Sequence, residues 1–355
     1  MHFAEAGRAC VEFWISKCMS EDILIGISGR STVLDSNVPA TEKLYGFHRL
    51  DKPLVAVPHD GKFIIGGEFK NVNGLNRSRI ARLNENGQLD GAYNLGIGFD
   101  GPVRSIKIDE SGKAIVVGYF NFFNGVTRNG IARLNEDGIL DETFNPGGGA
   151  DNPITDFTIQ SDGKIIIVGD FTTFNGSNAI RIARINPDGS LDRSFNAGIG
   201  PNSTVNSVDV LSNGKIIIGG DFSTYNLVNN NGLMILNGDG SVYNKFNIGN
   251  GFNGSVKKVL AQPDLKILVC GLFTKFNDNL SNRIIRINYD GTIDRSFNIG
   301  TGANAAVYSM ALQQDGKIVI GGDFNQFKGL NKNAIVRLNH DGTPDPTINF
   351  GTGAN

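Results

Sequence analysis

Three observations on the sequence predict an all-β protein, a six-unit β-propeller of 51-residue repeats with a short non-repeat N-terminal extension. First, one phrase recurs: "KFIIGGEFKNVNG" from Lys62, "KAIVVGYFNFFNG" from Lys113, "KIIIVGDFTTFNG" from Lys164, "KIIIGGDFSTYNL" from Lys215, "KILVCGLFTKFND" from Lys266 and "KIVIGGDFNQFKG" from Lys317. Second, the phenylalanines that close its "G-x-F" element (Phe69, Phe120, Phe171, Phe222, Phe273 and Phe324) are 51 residues apart at every step. Third, no helix-period segment of any length falls between the repeats, while 47 glycines and abundant Asn supply tight turns.

The unit from Asn152 to Asn202 gives the order of elements. "ITDFTI" sets Phe157 and Ile159 two apart, the period of a half-buried strand, and "QSDG" turns the chain. "KIIIVG" is apolar on successive residues and β-branched, so it is expected to be covered on both faces. "FNGSN" makes the next turn, "IRIARIN" the third strand, "PDGS" the third turn, and "LDRSFNAGIG" a short fourth edge strand before a Gly-rich crossing. A small sheet of this kind cannot bury both faces alone, so its neighbours must cover them. Radial closure into a propeller protects most edges; an open β-solenoid is the alternative, but the last residues, "INFGTGAN", read as another crossing and not as a cap.

Six units fill residues 50–355 and leave residues 1–49 as an N-terminal extension. Within it, "EDILIGISGRSTVLDS" contains one plausible strand pair, fit either for ring closure or for docking to another subunit. The start lacks a basic n-region, and Glu5 and Glu12 interrupt any apolar run, so no signal peptide is expected. No stretch approaches the length of a membrane span, and 33 basic against 35 acidic residues give no footprint for nucleic acid. The three cysteines, Cys10, Cys18 and Cys270, suit neither a disulfide framework nor a metal site; Cys270 takes a strand position held by Gly or Val elsewhere and reads as a small buried thiol.

The consensus "VxSIxIxxDGKIIIGGDFxxFNG…RIARLNxDGxLDxSFNxG", carried by residues 50–355, resembles the delta-60 repeat. That resemblance implies a propeller in a bacterial surface or bacteriophage protein, in an extracellular or virion setting. It brings no catalytic residue with it.

The phrase "N-x-D-G-x-x-D" resembles the middle of a calcium loop, but the first ligand position is then Arg82, Arg133, Arg184, Arg286 or Arg337, which argues against a cation. Unit four reads "ILNGDGSVY", with Ile235 in the Arg place and Tyr243 in the Asp place. Both partners vanish together, as expected of a pair that would be costly to halve. Arg82–Asp90, Arg133–Asp141, Arg184–Asp192, Arg286–Asp294 and Arg337–Asp345 are therefore expected to be structural ion pairs within their units.

No metal, cofactor or catalytic constellation is expected. His2, His48, His59 and His340 are scattered, and Asp162, Asp315 and Glu68 sit at recurrent positions and read as turn or strand-end residues. "GGDF" resembles a nucleotide-cyclase signature but varies freely among its siblings, and no glycines form a phosphate-cradling strand–loop–helix. Trp14, outside the array, suits packing or docking. The aromatic series Phe123, Phe174, Tyr225, Phe276 and Phe327, with Val72 in the first unit, reads as blade-to-blade packing. The Asn-rich turns beside it are the expected contact surface. The chain thus reads as a non-catalytic structural or adhesive propeller, expected in a virion as a tail or fibre-associated component. Its expected partners are other structural proteins through residues 1–49, and a surface glycan is a further candidate. The alternatives are a bacterial cell-surface adhesin or scaffold and, less favoured, a carbohydrate-active enzyme.

Overall fold

The computed structural model describes residues 54–56, 62–93 and 95–348. The N-terminal extension, with Cys10, Trp14 and Cys18, lies outside the described residues, as do both roles expected of it. The rest is a β-propeller whose six blades repeat one plan.

Each blade has an inner strand: Leu54–Ala56, Val103–Ile108, Ile154–Ile159, Val205–Val210, Val256–Ala261 and Val307–Leu312. Each pairs antiparallel with a middle strand, which pairs in turn with an outer strand; in the third blade these are Ile165–Gly169 and Ile182–Ile185. The expected fourth edge strand is reduced to one bridge per blade, such as Ile185 to Leu191. The Ser or Thr two residues past the nearby Asp turns its backbone N–H and hydroxyl to that carboxylate, so the chain bends away there.

The "FNG" segment is more than a turn. It is a two-residue-per-arm hairpin, Thr173–Phe174 against Ser177–Asn178 in the third blade. Asn175 and Gly176 both have positive φ, 46° and 70°, the backbone that Asn-Gly adopts in a tight hairpin turn. The same Asn holds the crossing that leaves the previous unit: Asn124, Asn175, Asn226 and Asn277 each accept a backbone N–H, from Gly98, Gly148, Gly200 and Gly251, at 2.8–2.9 Å. Recurrent Asn therefore serves local conformation and blade order together.

The middle strands are buried at every position, as their unbroken apolar runs predict. Their closing glycine is required by close packing of backbone. A Cβ on Gly118, Gly169, Gly220, Gly271 or Gly322 would collide with the carbonyl oxygen of Pro102, Pro153, Thr204, Ser255 or Ala306, where the inner strand enters the sheet.

The hydrophobic core is divided among the blade seams. One cluster joins Ile80 and Phe99 to Ile106 and Val116 across the first seam; another joins Ile115 and Val117 to Phe157 and Ile167 across the second. The next three seams are filled in the same way. Phe123, Phe174, Tyr225, Phe276 and Phe327 are buried at 0% exposure inside these clusters. Burying each is worth about 1.5–3 kcal/mol. They are packing residues, so no aromatic ligand platform exists at this level.

Candidate functional site

Two polar constellations and one surface stand out from this frame. The first is a latch at the seams. Arg82, Arg133, Arg184, Arg286 and Arg337 lie on outer strands, and their Nε atoms donate to Oδ2 of Asp90, Asp141, Asp192, Asp294 and Asp345 at 2.7–2.8 Å. The pairing is the one expected within each unit, but four of the five arginines also reach beyond their own blade. Nη1 of Arg82, Arg133, Arg184 and Arg286 donates to the carbonyl of Glu136, Pro187, Gly238 and His340, on a turn of the next blade. The same guanidinium groups stack 4.3–5.1 Å from the rings of Tyr93, Phe144, Phe195 and Phe297.

A third member was not anticipated. The lysine that opens each recurrent phrase lies on the middle-strand side, and Lys62, Lys113, Lys164, Lys266 and Lys317 place Nζ 2.9–3.1 Å from the same Asp Oδ2. In unit four, where Arg and Asp are replaced, Lys215 lies 4.5 Å over the Tyr243 ring instead. Tyr243 in turn packs on Tyr289 of the next blade at 5.2 Å.

Burial works to raise the pKa values of Asp141, Asp192, Asp294 and Asp345, but hydrogen bonds from the neighbouring Ser or Thr, Lys and Arg outweigh it and hold them well below the usual carboxylate range. Unfolded chains therefore take up protons at higher pH than the folded propeller. The stability these groups contribute is fully present above the ordinary carboxylate pKa of about 4 and is lost as pH falls through the depressed folded values. Urea midpoints measured against pH are expected to hold steady near neutrality and to fall progressively below about pH 4.

The second constellation sits on the inner strands, around the axis. Inner strands of successive blades pack side by side but share no backbone ladder, so side chains bridge them. Thr155 and Asn206 donate to the carbonyls of Val205 and Val256. Ser207 Oγ and Asp209 Oδ2 accept the backbone N–H of Val259 and Ala261.

At one register the chain departs from its repeat: Ser105, Asp156, Ser207, Lys258 and Ser309 are equivalent positions. Asp156 accepts from Ser105 Oγ at 3.1 Å, Ser207 Oγ at 2.9 Å, the Val208 N–H at 3.3 Å and Lys258 Nζ at 2.7 Å. Asp156 and Lys258 are on the third and fifth blades, so their bond spans the fourth. Two residues further on, Lys107 and Asp209 break the repeat again. Burial works against ionisation of Asp156 and Lys258, but each charge stabilises the other: the Asp156 carboxyl is lowered and the Lys258 ammonium raised. For Lys107 burial outweighs the carboxylates of Asp156 and Asp209, and its amine is lowered. The signal for this cluster was in the sequence, as charges at a register that otherwise holds Ser.

The third feature is the face bearing the hairpins and the crossings. Leu227, Leu280 and Val228 are 79%, 69% and 62% exposed at hairpin tips, and Leu75 and Leu330 are exposed at equivalent turns. Ile97 and Ile199, in crossings clamped by Asn124 and Asn226, are exposed on the same face. Among the described residues no group of three or more His, Cys, Asp or Glu is arranged to hold a metal ion.

Blades of three paired strands, seams closed by latches and a repeat of constant length define a repeat β-propeller protein. The chain matches the family described as "Domain of unknown function (DUF5122) beta-propeller" over residues 59–92, 110–144, 160–195, 211–242, 262–297 and 313–347, and it belongs to that family. Among solved structures, it is similar to a catalytically inactive virginiamycin B lyase from Staphylococcus aureus bound to quinupristin, at 20% identity and a TM-score of 0.53, covering 83% of this chain and 84% of that one. It is also similar to the WD40 beta propeller domain of Doa1, at 14% identity and a TM-score of 0.50, covering 84% and 92%. A gluconolactonase from Xanthomonas campestris aligns at 12% identity and a TM-score of 0.45 over 84% and 94%. At these identities the likeness is one of fold. No curated protein matches the sequence.

Proposed function

We propose that this chain is a non-catalytic structural or adhesive propeller of a bacteriophage particle, a tail or fibre-associated component that presents its hairpin face to a partner protein. The observation that carries the reading is the set of exposed aliphatic side chains on that one face, Leu227, Val228 and Leu280 foremost, on a scaffold whose other large apolar residues are mostly buried. Apolar residues repeated on one face of a rigid frame suit a protein interface. Most of the exposed set is aliphatic, with Phe122 exposed on one hairpin arm, and such a mixture suits a protein partner. The resemblance to delta-60 repeats, found in bacterial surface and phage proteins, supports the setting, and residues 1–49 are the attachment in this reading.

Quantitative mass spectrometry of gradient-purified particles, against host envelope and cytosol, tests it. A fixed copy number per particle is expected, and a Leu227→Ser, Leu280→Ser double variant should enter particles at least about tenfold less while melting as the parent does, since each exposed apolar anchor is worth about 1 kcal/mol or more at an interface. Recovery in the envelope alone would instead make it a cell-surface protein. Normal incorporation of the double variant would remove the hairpin face from the interface.

A further inference from the structure

We propose that the hairpin tip of the fourth blade is a self-association site, where Leu227 and Val228 meet the same residues of a second copy of this chain across a twofold axis. The backbone gives the first reason. The second turn residue of the six hairpins is Gly74, Gly125, Gly176, Leu227, Asp278 or Gly329, and all six have φ between 63° and 78°. Glycine enters that left-handed region freely, whereas a leucine is strained there. A second leucine shows how such strain can be offset within the chain. Leu265, with φ 66°, stands where other units have Gly112, Gly163, Gly214 and Gly316, and its side chain packs against the core between the fourth and fifth blades. Leu227 is instead 79% exposed, and a Cβ at the equivalent Gly74, Gly125, Gly176 or Gly329 would meet nothing within 4 Å. Whatever offsets its strain and its wetted surface comes from outside the chain.

Charge selects the occupant. Between the strand-closing phenylalanine and the outer strand, every other unit carries a charged side chain: Arg77, Arg128, Arg181, Lys275 and Lys328 in turn. The fourth, "FSTYNLVNNNG", carries none. Beside it Ile199, 56% exposed, is held against the same turn, because Asn226 accepts the Gly200 N–H and donates its own backbone N–H to the Gly200 carbonyl. An uncharged patch of three aliphatic side chains can face its own copy across a twofold without bringing like charges together. The other five hairpin segments would each set charge against like charge. This inference rests on the reading of the hairpin face as the binding face and names a second copy as the partner of one part of it.

Sedimentation equilibrium of the full chain from about 1 to 500 μM, across the affinities of small interfaces, tests it. A monomer–dimer equilibrium is expected that high salt does not weaken, since no charge takes part. Leu227→Gly should weaken the dimer at least about tenfold, because both copies lose an anchor. The same variant at low concentration should melt no lower than the parent, because Asn-Gly suits this turn. Leu265→Gly, which empties a packed position, should melt lower. A parent that stays monomeric throughout, assembles beyond dimers, or dissociates in salt would overturn the proposal, as would a dimer that survives Leu227→Gly. A dilute Leu227→Gly chain that melts as low as Leu265→Gly would overturn it too, since Leu227 would then serve the fold. Solution mass requires no particle, so a monomer would refute the second copy alone, and absence from particles would refute only the virion reading.

Discussion

Asp156→Ala is expected to lower the stability of the propeller by about 3 kcal/mol, the cost of stranding a mostly buried charge without its partner. The lower end of that range applies because the Lys258 side chain keeps 22% of its surface exposed, against 6% for Asp156. The loss comes from more than one bond, since Ser105, Ser207 and the Val208 N–H all point at the same carboxylate. The chain supplies its own rescue, because equivalent positions in the second, fourth and sixth blades carry Ser105, Ser207 and Ser309. Asp156→Ser with Lys258→Ser should therefore recover most of what either single change loses. Urea denaturation of the parent, both singles and the double would measure the coupling. Singles that cost under about 1 kcal/mol, or a double equal to their sum, would mean the pair does not join the third and fifth blades energetically.

The latch offers a second large effect. Asp192→Ala leaves Arg184 and Lys164 without their shared carboxylate, and a loss of about 3 kcal/mol is expected. Lys164, with 29% of its side chain exposed, can turn to water; Arg184, at 10%, cannot easily do so. Unit four shows how the site is remade without charge: Ile235 and Tyr243 stand in the Arg and Asp places, and Lys215 rests on the Tyr243 ring. Arg184→Ile combined with Asp192→Tyr should thus lie much closer to the parent than Asp192→Ala does. It should also blunt the fall of stability in acid, since one depressed carboxylate is gone. Equal losses in the single and double variants, read from thermal melts, would show that the latch acts through its charges alone.

The strands were legible because backbone pairing and burial recur with the period, and a consecutive apolar run such as Ile165–Val168 has only one comfortable place, between two covered faces. The Arg–Asp pairs were legible because unit four loses both members. Their lysine was not, although it opens every phrase: a residue present six times offers no contrast, and Lys215 persists even where the acid is missing. The hairpin was read as a plain turn because two-residue strands leave no periodicity to see. The rim cluster escaped for a different reason. Asp156 and Lys258 are 102 residues apart, and nothing local says that the third and fifth blades meet at the axis. Only comparison of equivalent registers, Ser against Asp against Lys, would have exposed it.

The tyrosine contact between the fourth and fifth blades gives the molecule joints of two kinds. Where Arg184 and Arg286 fasten neighbours, the fastening depends on an ionised carboxylate and loosens in acid. Where Tyr243 meets Tyr289, the rings pack together and the two side chains hydrogen-bond, a fastening indifferent to carboxylate protonation. Acid should then part the blades first at the arginine-fastened seams, so that the fourth and fifth blades are the last to separate.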